Sequence, residues 1–171
     1  MLPEPLRCVF LVYFATHVPV TLCIDAQPLL ASLGVAYPEA LQALLRWHCA
    51  ANDDFLMRSA PAWFLSLLAV EIVAQLPFFF VALYGLAQRR AWVRAPLIAY
   101  GAHVATTLVP ILGAFLAAPV GDGDGSFRSE AKRWVLIAIY APYFLVPMLI
   151  AAAMGLDAAP FGPPPKAKKQ A

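Results

Sequence analysis

Residues 62–87 read AWFLSLLAVEIVAQLPFFFVALYGLA, a run of 26 residues interrupted by a single formal charge, Glu71. About 20 apolar residues in a helix rising 1.5 Å each cross the roughly 30 Å hydrocarbon core of a bilayer. Three further runs have the same character. Residues 8–31 contain one acid, Asp25; residues 95–118 contain no acid or base except His103; residues 134–156 contain none. Of the 12 Lys/Arg and 10 Asp/Glu residues, only Asp25 and Glu71 fall inside the four runs. Lipid offers the backbone no hydrogen-bond partner, so each run must satisfy its own peptide groups as a helix. The expected fold is an all-α membrane protein, a bundle of four transmembrane helices.

Composition points the same way. The 171 residues are 62% hydrophobic and 13% charged, with mean hydropathy +0.73. A soluble domain carries roughly 45–50% apolar and about 25% charged residues, and one this small cannot hide so much apolar surface. A soluble enzyme and a disordered tail are excluded, and a net charge of +2 is too small for a nucleic-acid partner. The first run is too long for a signal peptide, carries its acid late and lacks a small-residue cleavage pattern, so it is expected to stay in the chain. Cys8, Cys23 and Cys49 form no pattern, and neither a disulfide, a metal nor a cofactor is expected.

Four spans put both termini on one side. That side holds Arg7, Arg89, Arg90, Arg94, Lys166, Lys168 and Lys169, against Arg46, Arg58, Arg128, Lys132 and Arg133 on the other, where most of the acids also lie. The excess of positive charge predicts cytoplasmic termini. Residues 157–171 form a Pro/Lys tail, and its Lys168 and Lys169 stand fourth and third from the end, the spacing of a dilysine retrieval signal of the endoplasmic reticulum. A basic tail lying near anionic lipid is the plainer reading. Residues 32–61, 88–94 and 121–125 read as linkers.

Ionisable residues inside a membrane cost about 2.5–3.5 kcal/mol each on insertion scales and mark function by default. Counted from the side of residues 32–61, Asp25 lies roughly 9 Å deep and Glu71 roughly 14 Å, so the two can face each other. His17 and Thr21 precede Asp25 at helical spacing, and Gln75 follows Glu71 by one turn. His103, Thr106 and Thr107 are read as one face of the third helix, and Tyr140 and Tyr143 as a pair on the fourth. Pro19, Pro28, Pro77, Pro110, Pro142 and Pro147 lie within the runs and can kink them. The expectation is Pro-kinked helices around an intramembrane pocket, polar at one end. The plainer readings are that the histidines and threonines bond neighbouring helices, that the tyrosines pack, and that the two acids share a proton to hold their helices together.

The blocks Tyr13–Gln27 (YFATHVPVTLCIDAQ), Pro61–Phe64 (PAWF), Glu71–Phe79 (EIVAQLPFF), His103–Leu112 (HVATTLVPIL) and Tyr140–Pro147 (YAPYFLVP), with the dilysine end, resemble the sigma-2 receptor (transmembrane protein 97) family of EXPERA-domain proteins over residues 7–156. The resemblance implies a protein of the endoplasmic reticulum membrane, or of other endomembranes, that binds sterols and cationic amphiphilic amines. It further implies a role in cholesterol homeostasis or trafficking, a homodimer, and contact with the lysosomal cholesterol exporter. It makes Asp25 the partner of a ligand's ammonium and Glu71 a protonated acid bonded to Asp25. A further family acid falls on Asp54, with Asp53 adjacent. The ligand site expected is therefore Asp25, Glu71, Gln75, His17, Asp54, Thr107, Tyr140 and Tyr143, with the ligand's apolar body among Phe78, Phe79, Tyr143 and Val146.

The alternative is an enzyme, a sterol double-bond isomerase like the emopamil-binding protein of the same superfamily. Such chemistry needs an acid, a base and a group to steady a carbocation. Asp25, Glu71 and an aromatic face could supply them. The isomerase relatives carry a pocket histidine near the second-helix acid, and residues 62–87 contain no histidine, so a non-enzyme is expected.

Overall fold

The computed structural model describes residues 1–162, which are helical apart from short connections. Four helices have the length and apolarity to cross a membrane: α1 (Glu4–Ser32), α4 (Ala62–Ala87), α5 (Ala91–Ala117) and α6 (Glu130–Leu156). They run alternately up and down. Between α1 and α4 the segment expected as a linker forms two short helices, α2 (Glu39–Asn52) and α3 (Phe55–Ser59). α2 exposes Trp47 and Leu44 and buries Cys49, so it lies as an amphipathic lid across one end of the bundle, the loop end. The thiol of Cys49 is pushed up to about 11 by burial, which leaves it an inert packing group.

The charges kept out of the spans work at the helix ends. A helix leaves its last carbonyls without partners, and a cation there also opposes the helix dipole. At the terminal end, Arg7 Nη1 donates to the Leu86 carbonyl of α4 (3.0 Å), and Arg94 Nε to the Met154 and Asp157 carbonyls at the end of α6 (2.8 Å each). At the loop end, Arg128 Nη2 donates to Ala50 O (2.6 Å) and Lys132 Nζ to Ala51 O, both at the end of α2, and Arg133 Nη2 to Ala118 O beyond α5 (2.5 Å). The first residues also meet the segment that follows α6. The Met1 ammonium lies 2.7 Å from Asp157 Oδ2, and Leu2 N donates to Pro160 O.

α1 packs along α4, and α5 along α6. The second pair approaches closely at Gly101, where a Cβ would stand 2.4 Å from the Pro147 carbonyl oxygen and 2.9 Å from Ala151 N. Small residues of this kind let membrane helices touch backbone to backbone. Toward the terminal end the bundle is closed by aromatic rings. Phe10, Phe14 and Phe79 are fully buried, Phe78 stacks on Tyr100 at 5.2 Å, and the Tyr13 and Tyr100 hydroxyls meet at 3.0 Å.

Two of the apolar helices change their winding midway. α1 makes a π-turn over Thr21–Asp25, with Ala26 N donating to Thr21 O, and α4 makes another over Glu71–Gln75, with Leu76 N donating to Glu71 O. Both sit just ahead of a proline, Pro28 and Pro77, whose missing N–H already breaks the regular ladder. A π-turn fits one extra residue into the helix and commonly marks a functional position. Pro19, Pro110, Pro142 and Pro147 lie inside stretches that remain α-helical.

Candidate functional site

The π-turns bring the two intramembrane acids together. Asp25 ends the first turn and Glu71 begins the second, and a carboxyl oxygen of each lies within 4.8 Å of the other. Thr21 Oγ1, fully buried, donates to Glu71 Oε1 at 2.6 Å. His17 Nε2 stands 3.6 Å from the same oxygen. Its ring stacks on Phe79 (centroids 4.6 Å apart) and leans on Tyr143 (4.7 Å).

These groups head a cavity of about 260 Å³ in the loop-end half of the bundle. His17, Asp25, Glu71, Gln75, Thr107, Tyr140 and Tyr143 line it, with Ile24, Leu68, Val104, Leu108 and Ile111 among its apolar walls and His48 and Met57 closing it above. A concave space with apolar walls and converging polar groups is the usual form of a small-ligand site.

Asp54 stands behind this lining. It is fully buried; Oδ2 accepts from the Tyr140 hydroxyl (2.8 Å) and faces His48 Nε2 (3.2 Å), while Oδ1 accepts from Met57 N (3.0 Å) and caps α3. Asp53 turns away and takes Arg128 Nε at 2.6 Å. Of the two adjacent acids, Asp54 is thus the one connected to the cavity, through Tyr140.

Several expectations are corrected. His103 and Thr106 are exposed on the outer face of α5, where Thr106 Oγ1 only returns to Ala102 O (2.8 Å); Thr107 alone of the three reaches the cavity. The packed face of α5 runs through Leu97, Tyr100, Gly101, Val104, Leu108 and Ile111, and one residue from Val104 is about 100° of rotation. Phe78, Phe79 and Val146 do not line the cavity. Phe79 packs beneath His17 as its floor. Lys168 and Lys169 lie outside the described residues.

Sequence reasoning missed His48, Met57 and Gln27. Gln27 Nε2 donates to Cys23 O (2.6 Å) and Leu41 O (2.8 Å), tying α1 to the lid. All three belong to the lid or its seam with α1, and the repeated apolar positions of residues 39–52 were the available signal. A second cavity, of about 570 Å³, opens beside the lid and is lined by Gln27, Tyr37, Arg46 and Arg58; Met57 borders both cavities.

The family model of EXPERA (EXPanded EBP superfamily) matches residues 40–154. The chain is 40% identical to the sigma intracellular receptor 2 of Xenopus tropicalis, over 87% of either chain. It is 38% identical to that of Homo sapiens, over 86% of this chain and 88% of the relative. To the efficient mitochondria targeting-associated protein 19 of Saccharomyces cerevisiae it is 28% identical, over 81% of this chain and 91% of the relative.

Proposed function

The chain belongs to the EXPERA family, and from that premise we propose that it is an intramembrane binding protein whose cavity takes a sterol or another amphiphilic lipid and, in its place, a cationic amphiphilic amine. The observation that supports this most is the Asp25–Glu71 pair at the head of an apolar cavity. An ammonium stands against Asp25 while Glu71 keeps the shared proton, and the hydrocarbon body lies among Ile24, Leu68, Val104 and Ile111. A sterol hydroxyl, neutral, hydrogen-bonds to the same pair. The receptor names of the similar proteins in Xenopus tropicalis and Homo sapiens agree with a binding role. In this reading the protein is a multi-pass protein of the endoplasmic reticulum with cytosolic termini, held there by Lys168 and Lys169, and it serves cholesterol homeostasis or trafficking, as a homodimer.

One observation favours a second reading. The histidine missing from α4 is supplied in space by α1, since His17 stands 3.6 Å from Glu71. An acid, a base and a ring face then share one cavity, as a sterol double-bond isomerase requires. Lipid extraction and mass spectrometry of the purified protein test the first reading: a co-purified sterol supports it, and a protein free of amphiphiles that also fails to bind added sterol or amine overturns it. Double-bond migration in added sterol, catalysed by the same preparation, would establish the second.

A further inference from the structure

Two carboxyls side by side in a lipid-surrounded bundle pose a problem of charge. An ammonium brings one positive charge, so one carboxyl keeps its proton when an amine is bound. A divalent cation brings two and neutralises both. The structure supplies a third donor for such an ion. One ligand atom each from His17, Asp25 and Glu71 lies within 4.8 Å of the others. Donors about 2.0–2.2 Å from a tetrahedral ion stand roughly 3.3–3.6 Å apart, within reach of small side-chain adjustments.

An independent observation points to a ligand here. His17 is 5% exposed and lines the cavity, yet its Nδ1 is shielded from solvent and has no hydrogen-bond partner among the described residues. Its Nε2, at 3.6 Å from Glu71, is beyond a good hydrogen bond. Buried polar atoms are almost always satisfied, so an imidazole held rigidly by Phe79 and Tyr143 but left without partners is a donor set in place for something else. Thr21 Oγ1 already orients Glu71 from outside, as an outer-shell partner of a metal ligand does.

We propose that His17, Asp25 and Glu71 form a site for one divalent transition-metal ion of the zinc type, which excludes the cationic amine because both need the same carboxyls. The mixed nitrogen and oxygen donors select zinc-like ions over calcium or magnesium, which prefer oxygen alone. The fourth position faces the cavity and is filled by water. The ion binds the carboxylate forms, so any proton held by either acid leaves as it enters. The proposal rests on the carboxyl pair of the binding reading and on His17, which that reading does not need for charge.

The test uses the full chain in detergent micelles, with a purification tag free of histidine and cysteine, stripped with a chelator and titrated with Zn²⁺ alone by calorimetry. One equivalent should bind per chain, with proton release visible as a dependence of the heat on buffer. His17→Phe keeps a ring against Phe79 and removes both nitrogens; provided it elutes monodisperse and stays helical, its Zn²⁺ affinity should fall at least ~10-fold. Wild-type protein gives a measurement that needs no variant: Zn²⁺ should displace a labelled cationic amphiphile competitively. Absence of Zn²⁺ binding, equal binding by His17→Phe, or simultaneous binding of ion and amine overturns the proposal. Amine binding without Zn²⁺ binding leaves the binding reading standing and removes this one; Zn²⁺ bound through His17 in a protein that takes no amine or sterol does the reverse.

Discussion

Asp53 and Asp54 are neighbours in the chain that face opposite ways: Asp53 takes both the side chain and the backbone N of Arg128, and Asp54 is sealed inside against Tyr140. The difference follows from the backbone. Asp53 closes α2 in the left-handed region (φ 56°), which turns the chain so that Asp54 begins α3 pointing inward. Asp54→Ala removes a helix cap, worth about 1 kcal/mol, and strands the buried Tyr140 hydroxyl at a cost of about 1–3 kcal/mol. Asp53→Ala loses an ion pair whose arginine is largely exposed, about 0–1 kcal/mol, and the hydrogen bond from Arg128 N, about 1 kcal/mol. Thermal unfolding in detergent should show the larger drop for the first variant and a lesser one for the second. Equal drops would mean that Asp54 does not organise the roof of the cavity.

Asp25→Asn keeps the size and the hydrogen bonding of the side chain and removes its charge. Truncating one side of a buried ion pair costs about 3–5 kcal/mol, so cationic amphiphiles should bind at least ~100-fold more weakly. A neutral sterol needs no counter-charge and should lose much less. Amine and sterol affinities measured side by side decide the matter. Equal losses would make Asp25 a wall of the cavity rather than the partner of a charge.

Thr21→Val conserves shape and removes the hydroxyl that donates to Glu71 Oε1. A buried acceptor left without its donor costs about 1–3 kcal/mol. The loss should register in thermal stability and, to a lesser extent than for Asp25→Asn, in amine affinity. An unchanged melting temperature would show that another donor replaces the threonine.

Gly101→Ala puts a methyl 2.4 Å from a backbone oxygen, and backbone cannot rotate away as a side chain can. α5 and α6 must part locally, at a cost of about 1–3 kcal/mol. Gly113→Ala, with nothing within 4 Å of its Cβ, is the matched control on the same helix and should leave stability unchanged or improved. The two melting temperatures should therefore differ in a direction that helix propensity alone does not give.

Replacing Lys168 and Lys169 with Ser should let part of the protein leave the endoplasmic reticulum for later compartments. Fractionation or imaging of a tagged chain checks this, with the tag placed at the N-terminus so that the last residues stay free. Unchanged localisation removes the retrieval role.

The spans were legible because lipid imposes a single rule, that charge stays outside and backbone bonds stay within the segment. Residues 62–87 match α4 at both ends, while α1 and α6 begin four residues earlier than the apolar runs, since Glu4 and Glu130 suit the positive end of a helix. The lid helices were not legible as such, because α2 is short and its apolar positions resemble those of any loop that rests on a membrane. The meeting of Asp25 and Glu71 could be inferred from depth, but its cause could not. A π-turn leaves no periodicity of its own over five residues, and Pro28 and Pro77 suggest a kink equally well. His103 and Thr106 went astray because a polar residue on a transmembrane helix can satisfy itself on its own backbone, as Thr106 does, and then needs no partner inside. The His17–Asp25–Glu71 cluster joins two helices 46 positions apart in the chain, counted from Asp25 to Glu71, and no spacing rule reaches that far.

The aromatic closure beneath His17 bears on what kind of traffic the cavity can carry. A conduit across a membrane needs two mouths. Here the half of the bundle holding the termini is stoppered by Phe10, Phe14 and Phe79 and latched by the Tyr13–Tyr100 hydroxyl contact. On the opposite side Met57, an unbranched and flexible side chain, borders both the cavity and the second hollow beside the lid. A guest in the cavity therefore meets a packed aromatic floor on the side of the termini. Stoppered there, the cavity does not form a straight path from one face of the bundle to the other.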